Sequence, residues 1–510
     1  MKTNIEITDS KNIEQESKYT KKSSNNKKAD TTLIEYAKKE CKLFCDNQNE
    51  PYAKVQVDNH TEIWGIHSQG FSDLLRSWYY KKTKRGVNQN QLESAIMTIS
   101  AIANYDGYRE DVYLRVAQEG ETIYIDMCDK SWRAIRVTNG GWTVINNPPI
   151  AFTRTNNMKS LPYPIGGNGV KYLLKHINIQ EEDLPLLTGW LLMSLQAGEG
   201  AYPPLLINGP AGSGKSTACR MIRALVDPNK ADLLTQPSIS DLRIVGMNNH
   251  ILAFDNVSKV SPQFSDAICK ISTGDNQSIR RLYTTNGEMT VSIKKPTILN
   301  GIPELAKRSD LASRSLKLTL QKVKHRKTEK KAWIDFNEDA PSILKGLLNG
   351  LTAALANLEN TKIDDMARMA DFCMWATAAN SAYEWDETTF IEAYTKNVKA
   401  SHVDSLESSL FASAIVKMCE KGKNFHGRPL DLLEDIEMNY SSEKVTRSAT
   451  WVKTAKGVIE QLDRNEESFE SVGIYYEKYK DRNNKTFVKV GDFEFVQNSN
   501  EVTKKYISDY

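Results

Sequence analysis

The chain has 510 residues, 26% of them charged and 40% hydrophobic, with a formal net charge of +3. That length holds about three domains at ~150 residues each, and the composition excludes a fibrous or wholly disordered chain. The small net charge excludes a global electropositive field, so any nucleic-acid affinity has to come from local patches. Seven scattered cysteines supply no paired zinc quartet, and the absence of a signal-type core or an eighteen-residue apolar run points to a cytoplasmic protein without membrane contact.

Residues 1–30 are rich in Lys, Ser, Asn and Thr and are expected to form a disordered tail. Residues 31–165 read as an N-terminal α+β domain. Its elements are a helix from Thr32 to Cys45, a strand from Tyr52 to Val57, an aromatic and basic helix from Phe71 to Lys84, and a helix from Gln89 to Ala103. Trp78, Tyr79 and Tyr80 suit either an ordinary amphipathic face or a platform for unstacked bases. Short strands follow at Val112–Val116, Thr122–Met127, Trp132–Val137 and Trp142–Ile145, separated by glycine turns. Prolines from Pro148 to Pro162 mark the way out of the domain.

Residues 166–330 read as a nucleotide-binding core. The apolar strand Leu205-Leu206-Ile207 runs into Gly209-Pro210-Ala211-Gly212-Ser213-Gly214-Lys215-Ser216-Thr217, and a helix follows, stopped by Asp227-Pro228. Strand, glycine-rich loop and helix are the context a phosphate-binding loop requires. The glycines let successive N–H groups turn inward, and the helix N-terminus adds partial positive charge. Lys215 suits the β- and γ-phosphates of ATP, and the Ser216 hydroxyl suits Mg²⁺.

Forty residues past Lys215, the strand Ile251-Leu252-Ala253-Phe254 ends in Asp255, a Walker B arrangement whose carboxylate serves the Mg²⁺ shell. Asn256 follows, where many such ATPases carry a glutamate; an amide can orient water but cannot act as a base. Asp266 and Glu304 are weaker candidates for that base. A third strand, Pro296 to Leu299, ends in Asn300, the sensor-1 position, placed to touch the γ-phosphate or its water. Between these strands, Asn286-Gly287 lies amid alternating residues and signals a β-hairpin. Arg280, Arg281, Asn286, Lys294 and Lys295 of that hairpin are the expected DNA contacts.

Arg314, and as second choice Arg308, precedes the last core strand and is placed to reach a neighbouring subunit's γ-phosphate. Residues 331–400 read as a helical lid in which Arg368 interrupts an apolar stripe and suits a sensor-2 role over the nucleotide. Residues 401–510 read as a winged helix. A helix from Ser448 to Leu462 carries Lys453 and Lys456, and a ribbon turning at Asp481–Asn484 carries Lys478 and Lys480. The fold expected is thus multidomain α/β: an α+β module, an AAA+ P-loop ATPase with a helical lid, and a C-terminal winged helix.

These motifs together resemble the self-loading, MCM-like AAA+ helicases of staphylococcal mobile elements, the Cch and Rep type. The resemblance is carried by Gly209–Thr217, Leu252–Ser258, Thr273-Gly274, Arg281–Tyr283, Pro296–Gly301, Asp310–Arg314 and Arg368–Phe372, and extends to Trp132, Trp142, Pro149 and Phe152. It implies a hexameric ring, a hairpin gripping single-stranded DNA, double-stranded origin DNA as a further partner, and contacts with other replication proteins of the same element. It also implies that Asp-Asn is this family's own form of Walker B. A nucleotide-controlled DNA-binding switch without unwinding is the alternative, favoured by Asn256.

Overall fold

The computed structural model describes residues 28–198, 200–257, 260–274, 276–280, 288–301, 309–323, 326–363 and 368–497. The expected tail therefore lies almost wholly outside the described residues. The chain divides into two compact units, residues 28–115, 130–134 and 145–154 in the first and the remaining described residues in the second.

In the first unit a four-stranded sheet runs β3-β2-β1-β4, with β1 Cys41–Cys45, β2 Pro51–Val57, β3 His60–Gly65 and β4 Tyr108–Arg109. The first helix stops at Glu40, five residues short of the expected end at Cys45. Cys41, Phe44 and Cys45 are buried while Lys42 is exposed, and the segment pairs antiparallel with β2 and parallel with β4. Pairing on both sides outweighs a helical pattern that helix propensity only weakly favours. Helices Gln69–Thr83 and Gln89–Tyr105 are capped by the Ser68 and Asn88 side chains, which accept from the N–H groups of Phe71 and Gln91. Leu33, Ala53, Phe71, Leu75, Leu92 and Ile99 form the core. A small parallel pair, β5 Val112–Tyr113 and β10 Ala151–Phe152, completes the unit. Arg115, at φ 69°, breaks the strand expected from Val112 to Val116.

The second unit begins earlier than the expected boundary at residue 165. A sheet of β6 Val116–Glu119, β7 Thr122–Asp126, β8 Ala134–Thr138 and β9 Gly141–Ile145 contributes Val116, Ile123, Ile125, Ile135 and Val137 to the same apolar core as the nucleotide strands. Burial of these side chains against Trp190, Leu191 and Leu205 decides the division, which turn signals alone do not encode.

The central sheet is parallel, in the order β12 Leu252–Val257, β15 Thr297–Gly301, β11 Leu205–Asn208 and β16 Leu316–Thr319. Leu234 adds an isolated parallel bridge beside Phe254. β11 is fully buried, as a strand covered on both faces requires. β13 Asn276–Arg280 and β14 Glu288–Ser292 pair antiparallel, so the expected hairpin arms are present, with the turn outside the described residues. A 29-residue helix, Glu329–Asn357, opens the segment expected as the lid and runs through Pro341; Thr328 caps it, and Phe336, Ile343, Leu347 and Leu351 bury its inner stripe.

Beyond Ser408 a separate core of Phe411, Ile415, Leu432, Ile436, Leu462 and Val490 joins helices to a three-stranded sheet. Its order is β17 Phe425–Gly427, β19 Thr486–Gly491 and β18 Tyr475–Lys480. The expected Ser448–Leu462 helix is shifted to Ala455–Ser471, because Thr454 accepts from the Gly457 N–H and fixes the start there. Among the described residues no helix is long and apolar enough to cross a membrane.

Candidate nucleotide site

The phosphate loop leaves β11 at Asn208 and enters the Lys215–Val226 helix at Gly214. Gly209, Gly212 and Gly214 have φ of 148°, 77° and 85°, a region costly for any residue with a Cβ. A Cβ on Gly209 would also lie 2.7 Å from Ser213 Oγ and 2.8 Å from the Leu320 carbonyl. Ala211, Gly212 and Gly214 are exposed, Pro210 likewise, and Lys215, Ser216 and Thr217 are half-buried. The cradle is closed below by packing and open above.

Lys215 Nζ donates to the carbonyls of Gly209 at 2.8 Å and Pro210 at 3.1 Å, so the ammonium is curled across the loop it serves. Ser216 Oγ donates to Asp255 Oδ1 at 2.8 Å. The two residues expected to hold Mg²⁺ thus meet, although 39 residues separate them. A hydroxyl beside one carboxylate is a hard oxygen donor set, which fits a Mg²⁺ that takes its other ligands from phosphate and water. Among the described residues no cluster of three or more His, Cys, Asp or Glu is built to hold a metal. Ser213 Oγ is buried without a partner beside the cradle, a hydroxyl that can donate to an anionic ligand at this loop.

β12 bulges at the expected Walker B residues: the register against β15 shifts between Phe254 and Val257, and Asn256 takes φ 52°. Asn300 Oδ1 accepts the Asn256 N–H at 2.9 Å, and Asn300 Nδ2 lies 3.1 Å from Cys219 Sγ. The sensor-strand amide is therefore buried and clamped between the Walker B bulge and the phosphate-loop helix. It holds Asn256 with its side chain exposed. Burial pushes the Cys219 thiol up to about 12, so it stays neutral beside the site. Asp266 is exposed on the Pro262–Thr273 helix, one full element away from that bulge; Glu304 lies outside the described residues.

Two contacts here have no motif to announce them. Cys219 is one. Arg326 is the other: a Cβ on Gly212 would lie 2.7 Å from its guanidinium, so this arginine reaches over the crown of the phosphate loop. Its only sequence signal is membership of a basic stretch, Lys322–Lys331. Arg220, on the loop's own helix, pairs with Glu329 at 2.8 Å and ties that helix to the start of the long one.

At the opposite edge of the sheet, Arg314 is half-buried just before β16, and Arg308 lies outside the described residues. Arg368 is not placed as expected. Its Nη1 donates to Ser313 Oγ at 2.6 Å and to Glu467 at 2.9 Å, which ties it to the residue before Arg314 and to the Ala455–Ser471 helix. It is therefore anchored on the Arg314 side, where Glu467 supplies the countercharge, rather than bonded to its own phosphate loop.

The expected DNA contacts separate in the same way. Lys294 Nζ donates to the Gly198 carbonyl at 2.8 Å and lies over the Tyr202 ring. Burial lowers the pKa of Lys295, with Asp227 opposing. Both anchor the hairpin base inward because buried acceptors and an acid lie there. Arg280 lies on β13, and Arg281 and Asn286 are outside the described residues. In the C-terminal part Lys453, Lys456 and Lys480 are exposed, whereas Lys478 pairs with Asp463 at 2.6 Å. The adjacent Lys489 is turned inward, 2% exposed, onto Glu477.

Comparison with known proteins adds two partial family matches. Residues 170–399 match the model of the actinomycete integrative conjugative element replication protein, and residues 411–494 match the AICE RepA C-terminal domain. No curated protein matches the chain. Among solved structures it is similar to the apo NrS-1 C-terminal region at 12% identity and TM-score 0.39, covering 92% of this chain and 100% of that one. A JCV helicase bound to a small molecule aligns at 16% identity and TM-score 0.23, covering 46% of this chain and 64% of that one.

Proposed function

From a chain similar to replication proteins of a mobile element, we propose an ATP-dependent DNA helicase and replication initiator that works as a hexameric ring on single-stranded DNA. The observation that carries this reading is the 2.8 Å contact of Ser216 Oγ with Asp255 Oδ1. It joins a strained phosphate loop to a Walker B carboxylate across two parallel strands, the arrangement a Mg²⁺-nucleotide requires.

On this reading residues 166–330 form an AAA+ core, 331–400 its lid and 401–510 a winged helix. Gly209–Thr217 cradle the ATP phosphates, Lys215 turns from the loop carbonyls to the β- and γ-oxygens, and Ser216 with Asp255 holds Mg²⁺. Bound there, Mg²⁺ would neutralise phosphate charge, and Asn300 and Asn256 would orient the attacking water through the bulge they share. Arg314 completes the site of the next subunit, because it stands at the sheet edge opposite the Walker B strand. Arg368, anchored beside it by Ser313 and Glu467, belongs to that same shared face. The hairpin of β13 and β14 reaches DNA in the ring's channel, and Lys453, Lys456 and Lys480 reach duplex phosphates.

The second reading, a nucleotide-controlled assembly switch without unwinding, is favoured by Asn256, since no carboxylate follows Asp255 to act as base. Unwinding of a forked duplex with ATP, wild type beside Lys215→Ala, separates the two. The helicase unwinds and the variant does not; nucleotide-dependent assembly with no unwinding and no DNA-stimulated turnover in the wild type would establish the switch.

A further inference from the structure

We propose that the C-terminal end of the Gln69–Thr83 helix is a second binding surface for single-stranded DNA, on the unit of the chain that carries none of the nucleotide machinery. Lys81, Lys82, Lys84 and Arg85 are all exposed, and none of the four forms an ion pair with a described residue. The acids on this helix and on those packed against it are engaged elsewhere or set back. Asp73 pairs with Arg76 at 3.2 Å, Glu40 with Lys39 at 3.2 Å, and Glu93 accepts from Gln89 at 2.7 Å, while Glu35 lies more than one turn before the end of its own helix.

Lysines in a last helical turn also satisfy the helix dipole, and Lys81 and Lys82 do so here. The charge does not stop with the helix, however. Lys84 turns the chain at φ 56°, and Arg85 continues beyond it, so the positive stripe outlasts the carbonyls it would neutralise.

The aromatics decide between single and double strands. Trp78 and Tyr79 pack against the unit's core and make the helix a rigid mount. Tyr80 is 57% exposed, with Lys84 Nζ 5.7 Å from its ring, and Lys82 lies 4.4 Å over Tyr36. A ring standing outside the core amid unpaired cations offers stacking to an unstacked base and phosphate contacts to its neighbours. A duplex uses only the charges.

The test uses the full chain without nucleotide and reads anisotropy of a labelled oligo-dT and of a duplex of equal length. Replacing Lys81, Lys82, Lys84 and Arg85 together by glutamine is expected to weaken single-strand binding about tenfold at physiological salt. It should also make the salt dependence shallower by roughly 2 to 3, at ~0.7 per lost phosphate contact. Tyr80→Ala is expected to cost about tenfold on the single strand and nothing on the duplex. DNA-free ATP turnover should be unchanged in both, which keeps this outcome separate from the fate of the helicase reading. Unchanged affinity and salt slope in the quadruple variant overturns the surface; an equal loss on duplex with Tyr80→Ala overturns its single-strand character. If the quadruple variant fails to fold by circular dichroism, Tyr80→Ala, whose ring lies mostly outside the core, decides the matter alone.

Discussion

The two edges of the central sheet are built on opposite plans. On the Walker B side, the phosphate loop, Asp255 and Asn300 satisfy one another: Lys215 on loop carbonyls, Ser216 on Asp255, Asn300 on Asn256 and Cys219. On the Arg314 side, Arg368 is held by groups distant in sequence, by Ser313 and by Glu467, which is 99 residues away. The first edge is closed on itself, its polar groups paired with one another. On the second, Arg368 is braced beside Arg314 by Ser313 and Glu467, and the shared site proposed above rests on that asymmetry.

The strongest break of this comparison is Arg314→Ala. It should lower ATP turnover by about a thousandfold while nucleotide binding stays near wild type, as loss of an arginine acting in trans does. Turnover at the wild-type rate in the assembled variant sinks the shared site. Lys215→Ala should cut turnover by at least about a hundredfold and weaken binding as well, and an equimolar mixture of the two variants should recover part of the activity, since mixed interfaces then contain one intact site.

Arg326→Ala sharpens the first edge. Removing one charge-assisted contact above Gly212 should raise the Kd for ATP about tenfold, with Arg326→Lys recovering part of it. Equal affinities for wild type and Arg326→Ala, by titration of a fluorescent ATP analogue, show that the guanidinium leaves the nucleotide alone.

Smaller effects probe the bracing of the second edge. Glu467→Gln breaks a half-exposed pair with Arg368 and should destabilise the protein by less than about 1 kcal/mol in denaturant unfolding. A larger cost would mean that the pair holds the Ala455–Ser471 helix in place. Nearby, burial lowers the pKa of His402, whose Nδ1 lies 2.9 Å from Ser468 Oγ. A histidine held neutral stabilises the fold above its unfolded value of about 6.5 and loses that contribution as pH falls toward its lower folded value. The melting temperature should therefore drop faster below about pH 6.5 in the wild type than in His402→Gln, and parallel curves would remove His402 from the account.

Much of the first edge was legible in the sequence. Gly209–Thr217, Asp255 and Asn300 are local signals, each set by a strand end and a spacing, and parallel strands bring such ends to one side of a sheet. The bulge was not legible, because the bent backbone of Asn256 donates its N–H to a side chain 44 positions on. Arg368 misled for the same reason. An arginine in an apolar stripe signals a buried partner but not which one, and Glu467 lies in a different part of the chain.

The sequence by itself determined the phosphate loop, the carboxylate and amide at the strand tips, the hairpin arms and the basic, aromatic character of the Gln69–Thr83 helix, since each depends on neighbours within a few residues. Only the tertiary structure decided that β6 to β9 join the nucleotide core, that Lys294, Lys295 and Lys489 turn inward, that Arg326 covers Gly212, and that Tyr80 alone of its three aromatics stands clear. Those outcomes depend on which surfaces are buried against which, and burial is a property of the folded whole.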